Sequence, residues 1–501
     1  MTTDLSPQPL SRRRFLRTSA TAAVAAPLSL AAPILSASAA PPPTVTGAPT
    51  SSRAILIKGG CVLTLDRQIG DFEKADVLVQ DGKIVAVRSG ITAPGAEVID
   101  GSSAIVMPGF VDTHRHIWQG ILRNILPDGT LVPDYFRDIQ GVLAPAYKPE
   151  DVYAGNLVSM LGAIDTGTTT VLDWSHIQNT PEHTDAAIQA LRDSGGRAVF
   201  GYGTPQLGPP NKWWEETRGH KYPEDIRRLR KQYFSSRDQL VTLALAAVPF
   251  PPEVAISSWK LAREVGARIT VHVGVGRFGK RGDVQKLGEA GMLKDDVTYI
   301  HACTLSDEEW KLIKDTGGTI SLAGYVEMIM GHGTPPIQKC LDMGIRPSLS
   351  VDVETSVPSD MFTQMRTIFS LQRNDVLVKA IADEKATLPP LLKTRDVLEF
   401  ATIEGARANG LDSKIGTLTP GKQADIILLR TDRLNVLPMN NAVGAVVTSM
   451  GPANVDTVLI GGRVMKRNGR LVGVDMNKVS RLVTQARDRV VARSGFQRPR
   501  P

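Results

Sequence analysis

The 501-residue chain has few cysteines and few aromatic residues: three Cys, with Phe, Trp and Tyr together at 5%. Cys61, Cys303 and Cys340 allow at most one disulfide, and no two of them form a Cys-x-x-Cys pair. This excludes a disulfide scaffold and predicts three buried thiols. No strand-like segment is followed by a Gly-x-Gly-x-x-Gly or Gly-x4-Gly-Lys motif, so a nucleotide-binding fold has no support.

The chain also has little excess of one charge sign. It contains 58 Lys and Arg and 51 Asp and Glu, which gives a formal net charge of +7. Beyond the N-terminus there is no basic run interleaved with aromatic residues, so we expect no nucleic-acid partner. The Ala-rich stretch from Thr18 is interrupted by Pro27 and Pro33, which argues against stable insertion of a spanning helix. The expected partner is a small-molecule substrate, and the sequence leaves the oligomeric state open, a homo-oligomer included.

The N-terminus has the pattern of an export signal. The segment SRRRFLR (11–17) resembles a twin-arginine motif, and Ala37-Ser38-Ala39 is a candidate cleavage site. We therefore expect a signal peptide over 1–40 and an extracytoplasmic protein, periplasmic or secreted. Its removal lowers the formal charge to +4, because four arginines and one aspartate lie within it. The alternative is a disordered tail rich in Ala and Pro.

Strand patterns at both ends of the remaining chain flank a long central region in which strands and helices alternate. Gln80-Asp81-Gly82-Lys83 predicts a hairpin in the first part. Eight apolar strands alternating with helices predict a parallel (β/α)8 barrel of the TIM type, with a doubly wound open sheet as the alternative. The expected strands are 105–111, 168–173, 198–202, 242–248, 268–273, 297–301, 318–322 and 347–351.

The barrel is therefore expected to be inserted in a small β-sandwich that both ends of the mature chain build. The expected divisions are the signal peptide at 1–40, a linker at 41–52, the first half of the β-sandwich at 53–104, the barrel at 105–412, the second half of the β-sandwich at 413–470, and a C-terminal helix and tail at 471–501.

Five side chains that bind divalent metals lie at the ends of predicted barrel strands. They are His114, His116, His272, His301 and Asp352. The carboxyl ends of barrel strands meet at one rim, so residues distant in sequence can converge there. Imidazole and carboxylate together suit zinc or iron, and an open coordination position would hold a water of lowered pKa. One His-x-His pair alone would be weak evidence, but the whole set predicts a metal site.

Several of these segments resemble motifs of the amidohydrolase superfamily, in particular its cytosine-deaminase-like and chlorohydrolase-like branch. They are PGFVDTHRH (108–116), VHV (271–273), IHACTLSDEEW (300–310), SVD (350–352), ATIEGAR (401–407) and IGTLTPGKQAD (415–425). The resemblance covers about 53–470, nearly the whole mature chain.

The resemblance implies that His114, His116, His272 and Asp352 bind one divalent metal ion, with zinc expected and iron as the alternative. It implies that Asp352 is both ligand and general base. It assigns His301 to the attacking water or to the oxygen of the tetrahedral intermediate. Asp112 and Arg115 flank the metal pair and are expected to support it by hydrogen bonds or a salt bridge.

One departure from the family pattern concerns the proton donor. Deaminases of this branch carry a glutamate three residues after the strand-five histidine, where this chain has Val275. The usual Ser-Asn motif near strand seven is also absent, and Glu327 is a candidate replacement for its asparagine. Both changes argue against ring deamination while leaving the metal site intact.

Weaker candidates for substrate contacts surround this site. His176 follows strand two, and Trp118 and Gln119 follow the His-x-His pair. Loop hydrogen bonding for His176 and a buried structural role for Trp118 are equally good interpretations. The other histidines, His183, His220 and His332, are expected at the surface.

The sequence thus predicts a hydrolase that cleaves a non-peptide C–N bond of a small molecule, of amide, urea or lactam type, through a metal-bound hydroxide. The alternatives are deamination or dechlorination of a heteroaromatic compound. A rival from another class is a catalytically silent metal- or ligand-binding protein on the same fold.

Overall fold

A computed structural model of the chain describes residues 54–204 and 222–498. The predicted signal peptide, the linker and His220 lie outside these residues. Among the residues described, no helix combines the length and apolar character needed to span a bilayer. The three cysteines are free thiols: Cys340 is buried, while Cys61 and Cys303 are only partly so.

Eight consecutive parallel strands form the barrel, each paired with the next along the chain. They are β6 (Phe110–Arg115), β7 (Thr168–Ser175), β8 (Arg197–Tyr202), β9 (Val241–Ala247), β10 (Arg268–Val273), β11 (Val297–His301), β12 (Thr319–Leu322) and β13 (Ser348–Leu349). Most of their residues are buried on both faces, as expected for strands covered by helices. The prediction of a barrel, rather than an open sheet, is confirmed.

The barrel closes at the metal-binding rim rather than along a full strand pair. The backbone N–H of Asp352 donates to the carbonyl of His114 at 2.9 Å, and the N–H of His116 donates to the carbonyl of Asp352 at 2.8 Å. The first and last strands are therefore joined through the residues that the sequence assigns to the metal.

The helices follow the predicted alternation. They are α1 (Pro149–Asp165), α2 (Pro181–Ser194), α3 (Ile226–Gln232), α4 (Pro252–Glu264), α5 (Asp283–Glu289), α6 (Asp307–Asp315), α7 (Gly324–Ile329), α8 (Ile337–Asp342), α9 (Met361–Ala382), α10 (Thr394–Phe400), α11 (Ile403–Ala408), α12 (Ala442–Gly444) and α13 (Met476–Ser494). Helix α6 starts with the predicted capping box, in which Ser306 Oγ accepts from the N–H of Glu309 at 3.2 Å. Irregular helical turns cover Ile117–Leu122, Leu131–Leu143 and Gly276–Arg281.

Both ends of the described chain build a second, nine-stranded mixed sheet with an apolar core of its own. Its strands are β1 (Ile55–Val62), β2 (Phe72–Gln80), β3 (Lys83–Arg88), β4 (Glu97–Asp100), β5 (Ala104–Pro108), β14 (Ile426–Arg430), β15 (Val455–Ile460), β16 (Arg463–Arg467) and β17 (Arg470–Leu471). Strand β5 from the first part pairs with β14 from the last, so the barrel is inserted between them.

The structure divides the predicted strand 105–111 at Gly109. Residues before it belong to the nine-stranded sheet, and β6 begins after it. A Cβ on Gly109 would lie 2.2 Å from a Thr169 side-chain atom, so only glycine fits where the chain crosses from one sheet to the other. The apolar run continues through both strands, which is why periodicity alone placed the boundary too early.

A buried ion pair fixes the nine-stranded sheet to the barrel. Arg197, at the start of β8, donates to both carboxylate oxygens of Asp425, at 2.7 and 2.9 Å. Asp425 immediately precedes β14 and also accepts the N–H of Gly461 at 2.8 Å. This bidentate contact lies away from the carboxyl ends of the strands and leaves the rim free.

Candidate metal centre and active-site pocket

The four predicted metal ligands converge at the carboxyl ends of the barrel strands. His114 Nε2 lies 3.0 Å from Asp352 Oδ1 and 3.2 Å from His272 Nε2. His116 Nε2 lies 3.2 Å from the same oxygen of Asp352. Three imidazole nitrogens and one carboxylate oxygen thus meet in a buried space, and we call these four residues the histidine cluster.

The tautomer of His116 shows that this cluster fits a cation. Its Nδ1 lies 2.7 Å from the carbonyl of Trp174, so Nδ1 carries the proton and donates it. In the neutral ring, Nε2 then presents a lone pair to the Asp352 carboxylate, an arrangement that is repulsive unless a positive charge lies between them. A ring N–H held by a carbonyl is the arrangement that orients histidine ligands in metal sites.

Burial keeps His114 and His272 in the neutral form that binds metals. Desolvation lowers the pKa of His114 to about 3, against the opposing attraction of Asp352. The pKa of His272 lies well below its ordinary value, again chiefly through burial and then through the neighbouring histidines. A divalent ion therefore competes with no proton on these two rings at neutral pH.

Two of the converging residues have backbone conformations that L-residues rarely adopt. His301 has φ +72° and Asp352 has φ +70°. Such conformations cost about 1–3 kcal/mol and persist where the surrounding structure requires them. His301 is the last residue of β11, and Asp352 lies three residues beyond β13, so both unusual conformations occur where barrel strands end at the site.

His301 is held by Glu327, a residue of helix α7. Glu327 Oε1 accepts the backbone N–H of Ala323 at 2.8 Å and lies 3.1 Å from His301 Nδ1. Nδ1 therefore carries the ring proton, and Nε2 turns a lone pair towards Asp352 Oδ2, 3.6 Å away. Burial raises the pKa of Glu327 to about 8 and lowers that of His301 to about 4. His301 is placed to accept a proton from the attacking water.

His176 lies beside the cluster but is fully engaged by the protein. Trp118 Nε1–H donates to its Nδ1 at 2.9 Å, and the Gln140 side-chain amide lies 2.8 Å from its Nε2. Its ring stacks on His116 with centroids 4.0 Å apart. Burial lowers the pKa of His176 well below its ordinary value. A neutral ring with both nitrogens bonded is a poor source of a proton for the substrate.

Trp118 and Gln119 lie behind the pocket wall rather than in it. Both side chains are fully buried. Gln119 Nε2 donates to the Tyr135 hydroxyl at 2.6 Å, and Trp118 supports His176 as described. The structure thus gives these two residues the role of holding Tyr135 and His176, which do line the pocket.

The pocket above the cluster has a volume of about 370 Å³, enough for a small organic molecule. The histidines lie at its buried end, while Phe250 and Arg281 are partly exposed at its mouth. Val275 is part of its wall. At Val275, where the family resemblance predicts a glutamate, the pocket wall is therefore apolar.

Asp112 and Arg115, which flank the metal ligands in sequence, belong to a second buried group. Arg115 Nε donates to Asp112 Oδ2 at 2.7 Å, and Arg115 Nη1 donates to Glu354 Oε1 at 2.9 Å. The same oxygen of Glu354 accepts the hydroxyl of Ser159 at 2.7 Å. We call these four residues the arginine cluster. It joins the segment before His114 to the segment after Asp352, as the supporting role predicted for Asp112 and Arg115 requires.

Sequence reasoning missed two buried histidines. His332, expected at the surface, is only 4% exposed and lines the pocket beside His301, with ring centroids 4.7 Å apart. His183, also expected at the surface, is buried on α2, where it bonds to Thr180 and to the carbonyl of Tyr147. Neither residue ends a barrel strand, so no pattern in the sequence marked them.

Comparison with known proteins agrees with this geometry. The family model of the amidohydrolase family matches residues 105–465. The chain belongs to the amidohydrolase family. It is accordingly a metal-dependent enzyme that hydrolyses carbon–nitrogen bonds other than peptide bonds, and the family predicted from the sequence is confirmed.

Curated relatives of this amidohydrolase span nearly the whole chain. A 5-methylthioadenosine/S-adenosylhomocysteine deaminase of Pyrococcus abyssi is 28% identical over 441 residues, which cover 85% of this chain and 97% of the relative. A 5'-deoxyadenosine deaminase of Methanosarcina mazei is 28% identical over 451 residues, covering 88% and 99%.

Solved structures share the fold of this amidohydrolase. An adenosine deaminase from Xanthomonas campestris with bound zinc matches with a TM-score of 0.73 at 21% identity, over 87% of this chain and 98% of the other. The atrazine chlorohydrolase of Arthrobacter aurescens TC1 complexed with zinc gives a TM-score of 0.71 at 22% identity, over 86% and 100%. One divalent ion, with zinc as the expected metal, fits the side chains that converge here, since His114, His116 and Asp352 lie close enough to hold it together, as do His114, His272 and His301.

Proposed function

We propose that this amidohydrolase cleaves the C–N bond of an amide, urea or lactam in a small organic molecule, in preference to the amino group of a heteroaromatic ring. The observation that carries the proposal is the apolar side chain of Val275 in the pocket wall. Expulsion of ammonia from an aromatic ring leaves charge on a ring nitrogen, and a positioned acid is typically worth about 10²–10⁴-fold in rate.

A carbonyl substrate makes smaller demands on this pocket. When bound, a divalent metal lowers the pKa of a water and polarises the carbonyl oxygen. Asp352 and the Nε2 lone pair of His301 are placed to take the proton of the attacking water. Glu327 holds His301 in that orientation through its Nδ1. His176 forms no hydrogen bond to the substrate, because both of its ring nitrogens are bonded to protein side chains.

Deamination of an adenine nucleoside is the second candidate, and the names of the curated relatives favour it. The two candidates differ in the need for an acid near Val275. A panel of acetanilide, hydantoin, adenosine and cytosine separates them in the wild type. We expect faster turnover of the first two. Efficient deamination of adenosine or cytosine would show that deamination is the function.

Variants extend this test to the residues that could replace the missing acid. Glu327→Gln should slow every substrate, because it acts through His301, whereas His176→Asn should leave the order of the substrates unchanged. Val275→Glu should raise the deamination rate relative to the amide rate. A loss confined to adenosine and cytosine in Glu327→Gln or His176→Asn would identify that residue as the acid.

We also propose that the enzyme acts outside the cytoplasm after export in folded form. The support is the sequence Ser11–Arg17 with its Ala-rich continuation and candidate cleavage site. Replacing Arg12 and Arg13 with lysine should keep the precursor in the cytoplasm. Export of this double variant at the wild-type level would contradict the proposal.

A further inference from the structure

We propose that His332 is a catalytic residue that contacts the leaving nitrogen of the substrate and delivers its proton. This inference rests on the proposed C–N hydrolysis. His332 follows helix α7, is 4% exposed, and lines the pocket together with His301 and Asp352. It belongs to none of the motifs by which the sequence predicts the metal site.

His332 has no hydrogen-bond partner for its ring. Within residues 54–204 and 222–498, neither ring nitrogen forms a hydrogen bond, and Nδ1 is fully buried. A buried polar atom left without a partner costs about 1–3 kcal/mol. His176, His183 and His301, in contrast, each bond to protein through at least one ring nitrogen. The ring nitrogens of His332 are therefore available to form hydrogen bonds with a molecule in the pocket.

The backbone holds His332 in place although the side chain is unpaired. Its carbonyl accepts the N–H of Gly276 at 2.7 Å, and its own N–H donates to the carbonyl of Glu327 at 3.1 Å. A Cβ on Gly276 would lie 3.0 Å from the carbonyl oxygen of Gly331, so the two loops approach as closely as glycine permits. Gly276 directly follows Val275, so the loop that carries His332 lies beside the apolar position in the pocket wall.

The distances place this ring where the leaving group departs. One nitrogen of His332, one nitrogen of His301 and one oxygen of Asp352 all lie within 4.8 Å of one another. Atoms this close together can contact one substrate heteroatom at the same time. The nitrogen expelled from the carbon attacked beside Asp352 therefore lies within reach of His332.

The proton balance closes with residues of this pocket. A water oxygen forms a bond to the substrate carbon, and its proton passes to Asp352 or to the Nε2 of His301. Burial lowers the pKa of His332 to about 4, so its resting ring is neutral. The proton taken from the water passes on to a ring nitrogen of His332, and the C–N bond breaks as this protonated ring gives a proton to the leaving nitrogen. The ring is neutral again when the product amine has left, so no further reactant is needed.

The same three residues offer a competing role for His332, as a ligand of a second metal ion with His301 and Asp352. The pairing pattern favours proton delivery. Metal-binding histidines usually have their second ring nitrogen held by a hydrogen bond to protein. His301 has such a bond to Glu327, and His116 has one to a backbone carbonyl. Within the described part of the chain, His332 has no such partner. Metal content separates the two roles.

The test compares leaving groups that need a proton with matched ones that do not. The variant is His332→Asn, and the control is His183→Asn, which removes another buried histidine that is not among the residues lining the pocket. The probes are acetanilide with 4-nitroacetanilide, and adenosine with 6-chloropurine riboside. Either pair can be used according to which candidate function the wild type shows.

We expect kcat to fall about 10²–10⁴-fold in His332→Asn for acetanilide or adenosine, and less than about tenfold for the nitroanilide or the chloride. Metal content should equal that of the wild type, and His183→Asn should keep the wild-type ratio of rates. Equal losses on both members of a pair, or a drop in metal content, would overturn the proposed role of His332 and leave the proposed function standing. Activity of the wild type on none of the four compounds would overturn the proposed function as well.

Discussion

Two buried polar groups lie on either side of the same barrel strand, and they differ in how completely they are satisfied. In the arginine cluster, Arg115 gives its protons to Asp112, Glu354 and the carbonyl of Ser359, at 2.7 to 3.1 Å. In the histidine cluster, lone pairs of His116 and Asp352 face each other. The first group is complete within the protein, and the second is complete only with a cation.

The difference indicates which buried charges serve structure and which serve chemistry. A buried ion pair with all its hydrogen bonds made is strongly destabilised by loss of one partner. A buried ring nitrogen and a buried carboxylate that face each other without a proton between them are stabilised when a cation binds there. Changes in the histidine cluster should therefore affect activity and metal content, and changes in the arginine cluster should affect stability.

The largest expected effect is on activity, in Asp352→Asn. Loss of the general base should lower kcat/KM by about 10²–10⁴-fold, since the neutral amide neither accepts the proton of water nor balances a metal charge. Kinetics on the preferred compound of the panel and elemental analysis measure the change. Asp307→Asn, an exposed aspartate paired with Lys339, is the control. Wild-type activity in Asp352→Asn would disprove the assignment of the base.

Much of this site was predictable because it depends on local sequence. Apolar runs lead up to His114, His272 and His301, and the residue types at or just beyond the end of such a run can be read directly from the sequence. The boundary at Gly109 was misplaced, because one continuous apolar run crosses two sheets. His332 was missed because its position depends on the contact between two loops at Gly276.

The supporting contacts were less predictable still. Trp118 follows the His-x-His pair and was a candidate for the pocket, yet its indole N–H is needed by His176. That bond joins the turn after β6 to the end of β7, and nothing local to either segment specifies it. Glu327 was a candidate replacement for an asparagine, but its contact with His301, 26 residues away, was not predicted.

The next largest effect is on stability, in Arg115→Met. Removing the cation leaves Asp112 and Glu354 buried without a partner charge, which should cost about 3–5 kcal/mol of the free energy of unfolding. Chemical denaturation of the holoenzyme measures it. The matched control is Arg227→Met, which breaks an exposed pair with Glu264 and should cost about 0–1 kcal/mol. Equal losses in the two variants would show that the arginine cluster is no structural core.

Removal of the metal should have a smaller effect on stability. At a free metal concentration 100 times Kd, binding to the folded state alone adds about 2.7 kcal/mol. The wild type should bind about one ion per chain and lose this increment on chelation. The double variant His114→Ala, His116→Ala should show no dependence on metal. Unfolding midpoints and elemental analysis check both. A metal-dependent midpoint in the double variant would contradict the ligand assignment.

The smallest effect is expected for His183, a buried histidine whose two ring nitrogens are bonded within the protein. Burial lowers its pKa below the ordinary value of 6.5, opposed by the carbonyl of Tyr147. The unfolded chain therefore binds this proton more readily than the folded one. The free energy of unfolding should rise as the pH increases from the lowered pKa to about 6.5, and then remain level.

His183→Asn should weaken that dependence in the metal-loaded enzyme, where the histidine cluster is held neutral by its ligand bonds. The measurement is denaturation at about pH 5 and about pH 7, with the difference compared between variant and wild type. Activity and metal content should stay unchanged, because His183 contributes no atom to the pocket lining. An unaltered pH dependence would mean that another buried group carries it. A loss of metal in His183→Asn would show that a histidine bonded within the protein also affects metal binding, and would contradict the distinction between the two kinds of buried histidine.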